Sequence, residues 1–471
     1  MRHIVILFLL GSLSFQAKAL PQENDTGQKA QSEPLGLDDL LEAALAHDGR
    51  LLAAHAGLEV YRAKYNQAWW AWFPRGKIEA VFGGPVGARR LDCPDDENCV
   101  RLEHDWRPGS FDFGEASYAV GGKLEAAMPL YTFGKIDEAK RAARAGVRAG
   151  KADIRRARQE VALEVRRAWY GGLLAQLSIE VLEDGEKKIK DAEKKLTKML
   201  DALNEDVTDK DLFKLRYYAS EIRKMLIQAK QGRNLSLAAL RFLTGIETLG
   251  QGKQLAESEL TAPEIKFLKR SEYLKQAAQH RPEMLMMEAA LEASRAKVEI
   301  EKAYFYPDFF LAGFVKGSYS PVHDYIENPL LNNGYTNYDA GLTLGFRLGL
   351  DIPQKIARLD QAQAELVRLE ARVNQAKHAA GLELDKRLGD LQAALDNQKV
   401  IKKGRRAAKA WMRSNLMSYG VGISNTKDLL DSLVAYSKSR IEMAKATHDT
   451  LLAHDRLEAT LGTDLSRSQK P

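Results

Sequence analysis

The chain repeats itself, and that duplication constrains its fold more than any single motif. Aligning Leu41-Glu42-Ala43-Ala44 through Phe73-Pro74 with Leu274-Lys275-Gln276-Ala277 through Tyr306-Pro307 keeps one constant offset, which also pairs His47 with His280, Leu58 with Leu291 and Ala63 with Ala296. A second, shorter offset pairs Gly245 with Gly462, Asp211 with Asp428, Leu212 with Leu429 and Leu240 with Leu457. A period above about 200 residues is too long for a solenoid unit. Two related halves are therefore expected, residues 37 to 250 and 271 to 462, with a connector at 251 to 270. An N-terminal extension (20 to 36) and a tail (463 to 471) flank them.

Each half reads in the same order. A helical segment, about 37 to 72 and again 271 to 305, runs up to a proline, where the sterics of the preceding residue end helices. Alternating segments follow. From Tyr338 to Leu348 the even positions Tyr338, Ala340, Leu342, Leu344, Phe346 and Leu348 are apolar and the odd ones polar or small, the period of a strand. Tyr118 to Met128 repeats the pattern, and residues 77 to 84 and 308 to 319 supply a partner strand in each half. Long helical stretches come next, about 133 to 204 and 354 to 418. In the second, Leu359, Ala362, Leu366, Leu369, Val373, Ala376 and Ala380 step by three and four, the rhythm of a coiled-coil seam. Shorter segments near 211 to 246 and 425 to 462 close each half. An opening and a closing segment together match one long helix of about 100 Å, so two short helices stacked end to end can flank it.

A mean hydropathy of −0.37, with no internal apolar run near the roughly 18 residues of a spanning helix, excludes a helical membrane protein. It does not exclude a β-barrel, whose strands alternate. Trp69, Trp70, Trp72 and Phe73 in one half and Tyr304, Phe305 and Tyr306 in the other sit where helix meets strand, as an interfacial belt requires. Four strands cannot close a membrane barrel, so several chains must contribute. The net charge of +6 is spread along helical stretches such as Glu186 to Lys198, a solvated face and not a nucleic-acid footprint.

Export is expected. Arg2 and His3, the apolar Ile4 to Leu13 and Ala17-Lys18-Ala19 read as a signal peptide over residues 1 to 19, too short in its apolar part for a membrane anchor. The only cysteines, Cys93 and Cys99, bracket an acidic loop. In an exported chain a disulfide is the natural reading, and a metal pair the weaker one because only His104 lies near.

This order of features resembles the TolC-like outer-membrane efflux protein family. The residues carrying the resemblance are Leu37 to Pro74, the strand-to-helix turn Met128-Pro129-Leu130-Tyr131-Thr132-Phe133-Gly134-Lys135, and Tyr419-Gly420-Val421-Gly422-Ile423-Ser424-Asn425-Thr426-Lys427-Asp428-Leu429-Leu430-Asp431. The second half has only Asp351-Ile352-Pro353-Gln354-Lys355 in place of the fuller turn, and the first half lacks the Val-Gly pair. The resemblance implies a mainly α chain with a small transmembrane β part, in a homotrimer with a 12-stranded barrel in the outer membrane continued by a helical duct through the periplasm. Such a duct passes cargo from an inner-membrane pump through a periplasmic adaptor, in tripartite efflux or type I secretion. Val421 and Gly422 would meet the adaptor at the tip of a helical hairpin.

Asp428 and Asp431, spaced i, i+3, share a helix face. In a trimer they would form two stacked carboxylate rings at the periplasmic aperture, selecting cations, with Asp211 adding one ring. The plainer reading is an acidic helix start that suits the macrodipole. No catalytic constellation is present: His-Glu-x-x-His, Gly-x-Ser-x-Gly and phosphate-binding glycine loops are all absent, and no cofactor is expected. A periplasmic coiled-coil adaptor or scaffold is the alternative, but no lipoyl-like β-domain flanks a hairpin. The cargo is not written in the sequence.

Overall fold

A computed structural model describes residues 34–83, 118–201, 208–250, 255–256, 260–262, 265–319, 337–420 and 426–465. The expected signal peptide, Cys93 and Cys99, and Val421 and Gly422 lie outside the described residues.

Helix α1 (Leu37–His47) and helix α2 (Gly49–Trp69) lead through a short 3-10 turn (Trp70–Trp72) into strand β1 (Arg75–Gly83). Strand β2 (Ala119–Tyr131), the 67-residue helix α3 (Lys135–Asp201) and the 36-residue helix α4 (Asp209–Thr244) complete the first half. The second half repeats it with α5 (Arg270–His280), α6 (Pro282–Ala303), β3 (Asp308–Tyr319), β4 (Asn337–Arg347), α7 (Ile352–Gly420) and α8 (Thr426–Leu461).

The opening segment of each half is broken, not continuous as the sequence suggested. Asp48 (φ −65°, ψ 123°) and Arg281 (φ −64°, ψ 122°) are extended at equivalent points. In the second half Pro282 forces this, since the residue before a proline avoids the helical region, and Pro282 then starts α6 at its favoured first position. In the first half Asp48 achieves it as an N-cap, its Oδ1 accepting from the Arg50 amide at 2.8 Å. The Arg50 guanidinium also donates to Asp48 and holds its carboxyl below the usual carboxylate range. A depressed pKa stabilises the fold above about pH 4, and that contribution disappears as the pH falls through the lower folded value. Asp48→Ala is expected to cost about 1–2 kcal/mol at neutral pH, and the gap from wild type in urea unfolding should narrow in acid.

The strands form one antiparallel sheet in the order β1-β2-β3-β4. The two hairpins join where β2 of the first half pairs with β3 of the second. β2 runs further than the alternation indicated, through Pro129 to Tyr131, with a register shift between those two residues, because a proline without an N–H is tolerated at such an irregularity. The turn to α3 is thus confined to Thr132–Gly134, with Phe133 (φ 49°) and Gly134 (φ 87°) both left-handed.

The helices make a wall of four columns. Near the sheet α2 packs on α3, α3 on α6 and α6 on α7; further away the order is α4, α3, α8, α7. α2 and α4 thus share one column, α6 and α8 another, beside the unbroken α3 and α7. The joints lie where sequence matches of different offset meet. Gly245 (φ 71°) ends α4 against the His47 ring, and Gly462 (φ 83°) follows α8 against the backbone of His280 and Arg281. The α1 and α5 helices leave the columns: α1 covers a core that includes Val161, Val165, Trp169, Leu240 and Leu451, and α5 packs Tyr273 and Ala277 on Leu384, Leu391 and Leu457. The segment after α8 is held by buried Arg166, whose Nε donates to the Leu465 carbonyl at 3.1 Å. Beside it burial and Asp455 push the Tyr170 hydroxyl up to about 12.

Candidate functional site

The candidate residues lie at two ends of the molecule. At the sheet, one face is apolar: Ile78, Leu124, Val315 and Ala340 lie in one row across all four strands. These side chains are open to their surroundings, Ile78 at 80% and Leu342 at 77% exposure. The other face carries the row Glu79, Lys123, Lys316, Asp339, with Lys316 Nζ 3.0 Å from Asp339. A sheet oily on one face and charged on the other fits lipid against water.

The aromatic residues expected at the interface cluster at one end of this sheet. Trp70 stacks on Trp72 with centroids 6.1 Å apart, and Phe73 meets both edge-on. Tyr306 stacks on Phe133 at 5.0 Å, and Phe133 meets Tyr131 at 4.7 Å. Lys135 Nζ lies 5.0 Å over the Tyr304 ring and donates to Asp308 at 2.7 Å. Trp69 and Tyr304 are exposed and Phe305 is partly covered. The turn of the first half thereby grips the helix-to-strand turn of the second.

At the far end, α3 with α4 and α7 with α8 form two helical hairpins. Leu430 and Ser432 turn inward and are buried, Leu430 among Ile179, Leu182, Leu215 and Ile222. That registration leaves Asp428 exposed and Asp431 half-covered. The Asp428 carbonyl accepts from Asn415 Nδ2 at 2.8 Å, tying the first turn of α8 to α7. The Asp431 carboxylate accepts from the Tyr218 hydroxyl of α4 at 2.8 Å, and this bond raises the Tyr218 pKa. Asp211 plays a local part: its Oδ2 accepts from the Thr208 amide at 3.2 Å and hydroxyl at 2.8 Å, a capping box that starts α4.

Tyr218, not Asp211, is thus the residue through which the first hairpin meets the acidic pair. Sequence reasoning passed over it because the equivalent position of the second half is Ala435, so the repeat offered no matching signal. Among the described residues no group of His, Cys, Asp and Glu is arranged to hold a metal ion, and no helix is long and apolar enough to cross a membrane.

Against solved structures the whole architecture recurs. CusC matches at 16% identity with a TM-score of 0.72, over 94% of this chain and 97% of that one. The open state of the Neisseria gonorrhoeae MtrE outer membrane channel matches at 19% identity with a TM-score of 0.72, over 92% and 91%. The Vibrio cholerae outer membrane protein VceC matches at 18% identity with a TM-score of 0.69, over 91% and 96%. At such identities the likeness establishes the fold. No curated protein sequence matches significantly. The family model for outer membrane efflux proteins matches residues 40–245 and 273–463, one stretch in each repeat, and the chain belongs to the outer membrane efflux protein family.

Proposed function

We propose that three copies of the chain close head to tail into an exit duct, with twelve strands in the outer membrane and the helical columns reaching into the periplasm. Cargo enters from an inner-membrane pump through an adaptor that docks at the hairpin tip around Val421 and Gly422. The observation that carries this reading is the openness of both sides of one protomer. β1 and β4 are the outer strands of the sheet, and among the described residues the flanking columns also present exposed apolar side chains. The α4 edge exposes Phe213, Ile227, Leu235 and Phe242, and α7 exposes Val367, Leu382, Val400 and Leu416. Two different open sides, each sheet edge in line with apolar helices, suit a heterologous contact that closes into a ring. A periplasmic scaffold would have no use for the exposed apolar face of the sheet.

In that ring Asp428 and Asp431 supply two acidic girdles at the periplasmic aperture, and three Tyr218–Asp431 bonds hold the inner hairpins to the outer ones. Opening draws the hairpins apart, a bistable change biased by adaptor contacts. The test is outer-membrane fractionation, cross-linking to a trimer and planar-bilayer conductance. Wild type should conduct with a preference for cations that falls by about threefold or more in Asp428→Asn, Asp431→Asn. A soluble, monomeric protein without conductance would refute the reading.

A further inference from the structure

Where α5 gives way to α6, helices α3, α7 and α8 help enclose a cleft of about 160 Å³ whose charged lining is Arg156, Arg281, Arg387 and Arg456 with Glu160, Glu283 and Glu383. Glu383 is clamped between two guanidiniums, accepting from Arg281 Nη2 at 2.8 Å and from Arg387 Nη2 at 3.5 Å. Glu283 accepts from Arg281 Nε at 3.1 Å. Outside the lining, Asp153 and Asp390 pair with Arg156 and Arg387. After these bonds Arg281 Nη1 and Arg387 Nε are still buried and have no hydrogen-bond partner among the described residues. Arg456 has no ion-pair partner there either.

Buried donors without acceptors are uncommon and costly, and a guanidinium cannot shed its proton to escape the cost. Five carboxylates pair with Arg156, Arg281 and Arg387, so the attraction for an anion comes from the two unpartnered buried donors, from Arg456, and from the start of the α6 helix at the rim, which adds the positive end of a helix dipole. We propose that the cleft is an oxyanion site for one ion of phosphate or carboxylate size, the geometry that forked guanidinium donors match. Its volume is below the roughly 300 Å³ at which sites for drug-sized molecules begin, so the occupant is a small anion and not the larger cargo.

The cleft opens away from the layer formed by α1 and α5. His454 and Glu458 of α8 line a different pocket together with Tyr273, Gln276, Ile265, Lys266 and Leu268. Arg456 is two residues from each, about 200° around the helix, and so faces the opposite side of the wall. On the reading of the chain as a duct, that side is the interior.

Isothermal titration of the full-length detergent-solubilised protein with inorganic phosphate, at ionic strength fixed with chloride, tests the site, and a parallel titration with acetate separates phosphate from carboxylate recognition. Saturable binding of either ion at one per protomer is expected, weakened at least tenfold in Arg456→Gln and Arg387→Gln but unchanged in Arg405→Gln on the exposed part of α7. Arg456→Gln breaks no ion pair, so it keeps the test valid if Arg387→Gln disturbs folding. Absence of saturable binding by both ions, or identical affinity in wild type and Arg456→Gln, would overturn the proposal. Titration needs no conductance, so a failed site leaves the duct reading standing, and a non-conducting protein that still binds the anion would sink only the duct.

Discussion

Gly462→Ala is expected to lower stability by about 2–5 kcal/mol and to reduce sharply the amount of assembled protein in the outer membrane. The residue has φ 83°, where a side chain costs about 1–2 kcal/mol. A Cβ there would also overlap the His280 carbonyl and lie 2.6 Å from the Arg281 nitrogen. Backbone cannot swing aside as a side-chain tip can, and forced overpacking costs a further 1–3 kcal/mol or so. Against the roughly 5–15 kcal/mol that folded domains possess, that sum is severe. Gly245→Ala, at φ 71° but facing the His47 ring, should be milder, because an imidazole can rotate out of the way. Gly232→Ala is the control: its nearest neighbour would be Ala175 Cβ at 4.0 Å in mid-helix, and it should stabilise by about 0.5–1 kcal/mol. Denaturant unfolding that ranks Gly462→Ala beside Gly232→Ala would show that the glycine does not make the close backbone contact described.

Tyr218→Phe removes one bond to Asp431 per protomer and should raise the open fraction of the channel by about tenfold or more in planar bilayers. A hydrogen bond to a charged acceptor contributes about 1.5–3 kcal/mol, and 1.4 kcal/mol is a factor of ten. The phenylalanine keeps the ring against Tyr217, whose centroid is 5.9 Å away, so packing is little changed. Asp431→Asn should act through the same bond, and a double mutant no more open than either single one is the expected sign of coupling. The bond to Asp431 favours the neutral phenol and raises its pKa. Such a contribution is whole below the ordinary tyrosine value near pH 10 and is lost only as the pH climbs through the higher folded one. Opening should therefore show no step from this bond between about pH 7 and pH 9. Conductance of Tyr218→Phe equal to wild type would remove the bond from the gating account.

Much of the architecture was legible because it depends on periodicity. Tyr338 to Leu348 alternates, and it pairs as β4; Leu359, Ala362 and Val373 recur at three and four, and α7 turns them inward, Ala362 and Val373 fully buried. The joints were half legible. His47 with His280 and Gly245 with Gly462 emerged as separate repeats, but nothing local says that a glycine ending one helix must touch a histidine nearly 200 residues earlier, since only packing sets that contact. Both breaks were missed in segments read as continuous, although Pro282 carries a local signal for the one before α6; the companion break at Asp48 depends on a side-chain cap that the helical pattern conceals. At the hairpin end the carboxylates could be nominated by spacing, whereas Tyr218 could not, because hydroxyl-to-carboxylate contact between helices of different halves leaves no trace in either one.

The placement of the two joints has a mechanical consequence. Two columns of the wall are jointed while α3 and α7 run unbroken beside them, so the assembly is a set of stiff rods alternating with articulated ones. Below its joint α4 is a lever of 36 residues, about 54 Å long. A tilt of about 5° at the Gly245 pivot carries its free end through about 5 Å at that length, a side-chain's width, while the strands above stay in register. On the proposed duct reading the far end can thus be dilated without working the sheet, and the small rotation needed is set by the length of the arm and not by any softness in the helix.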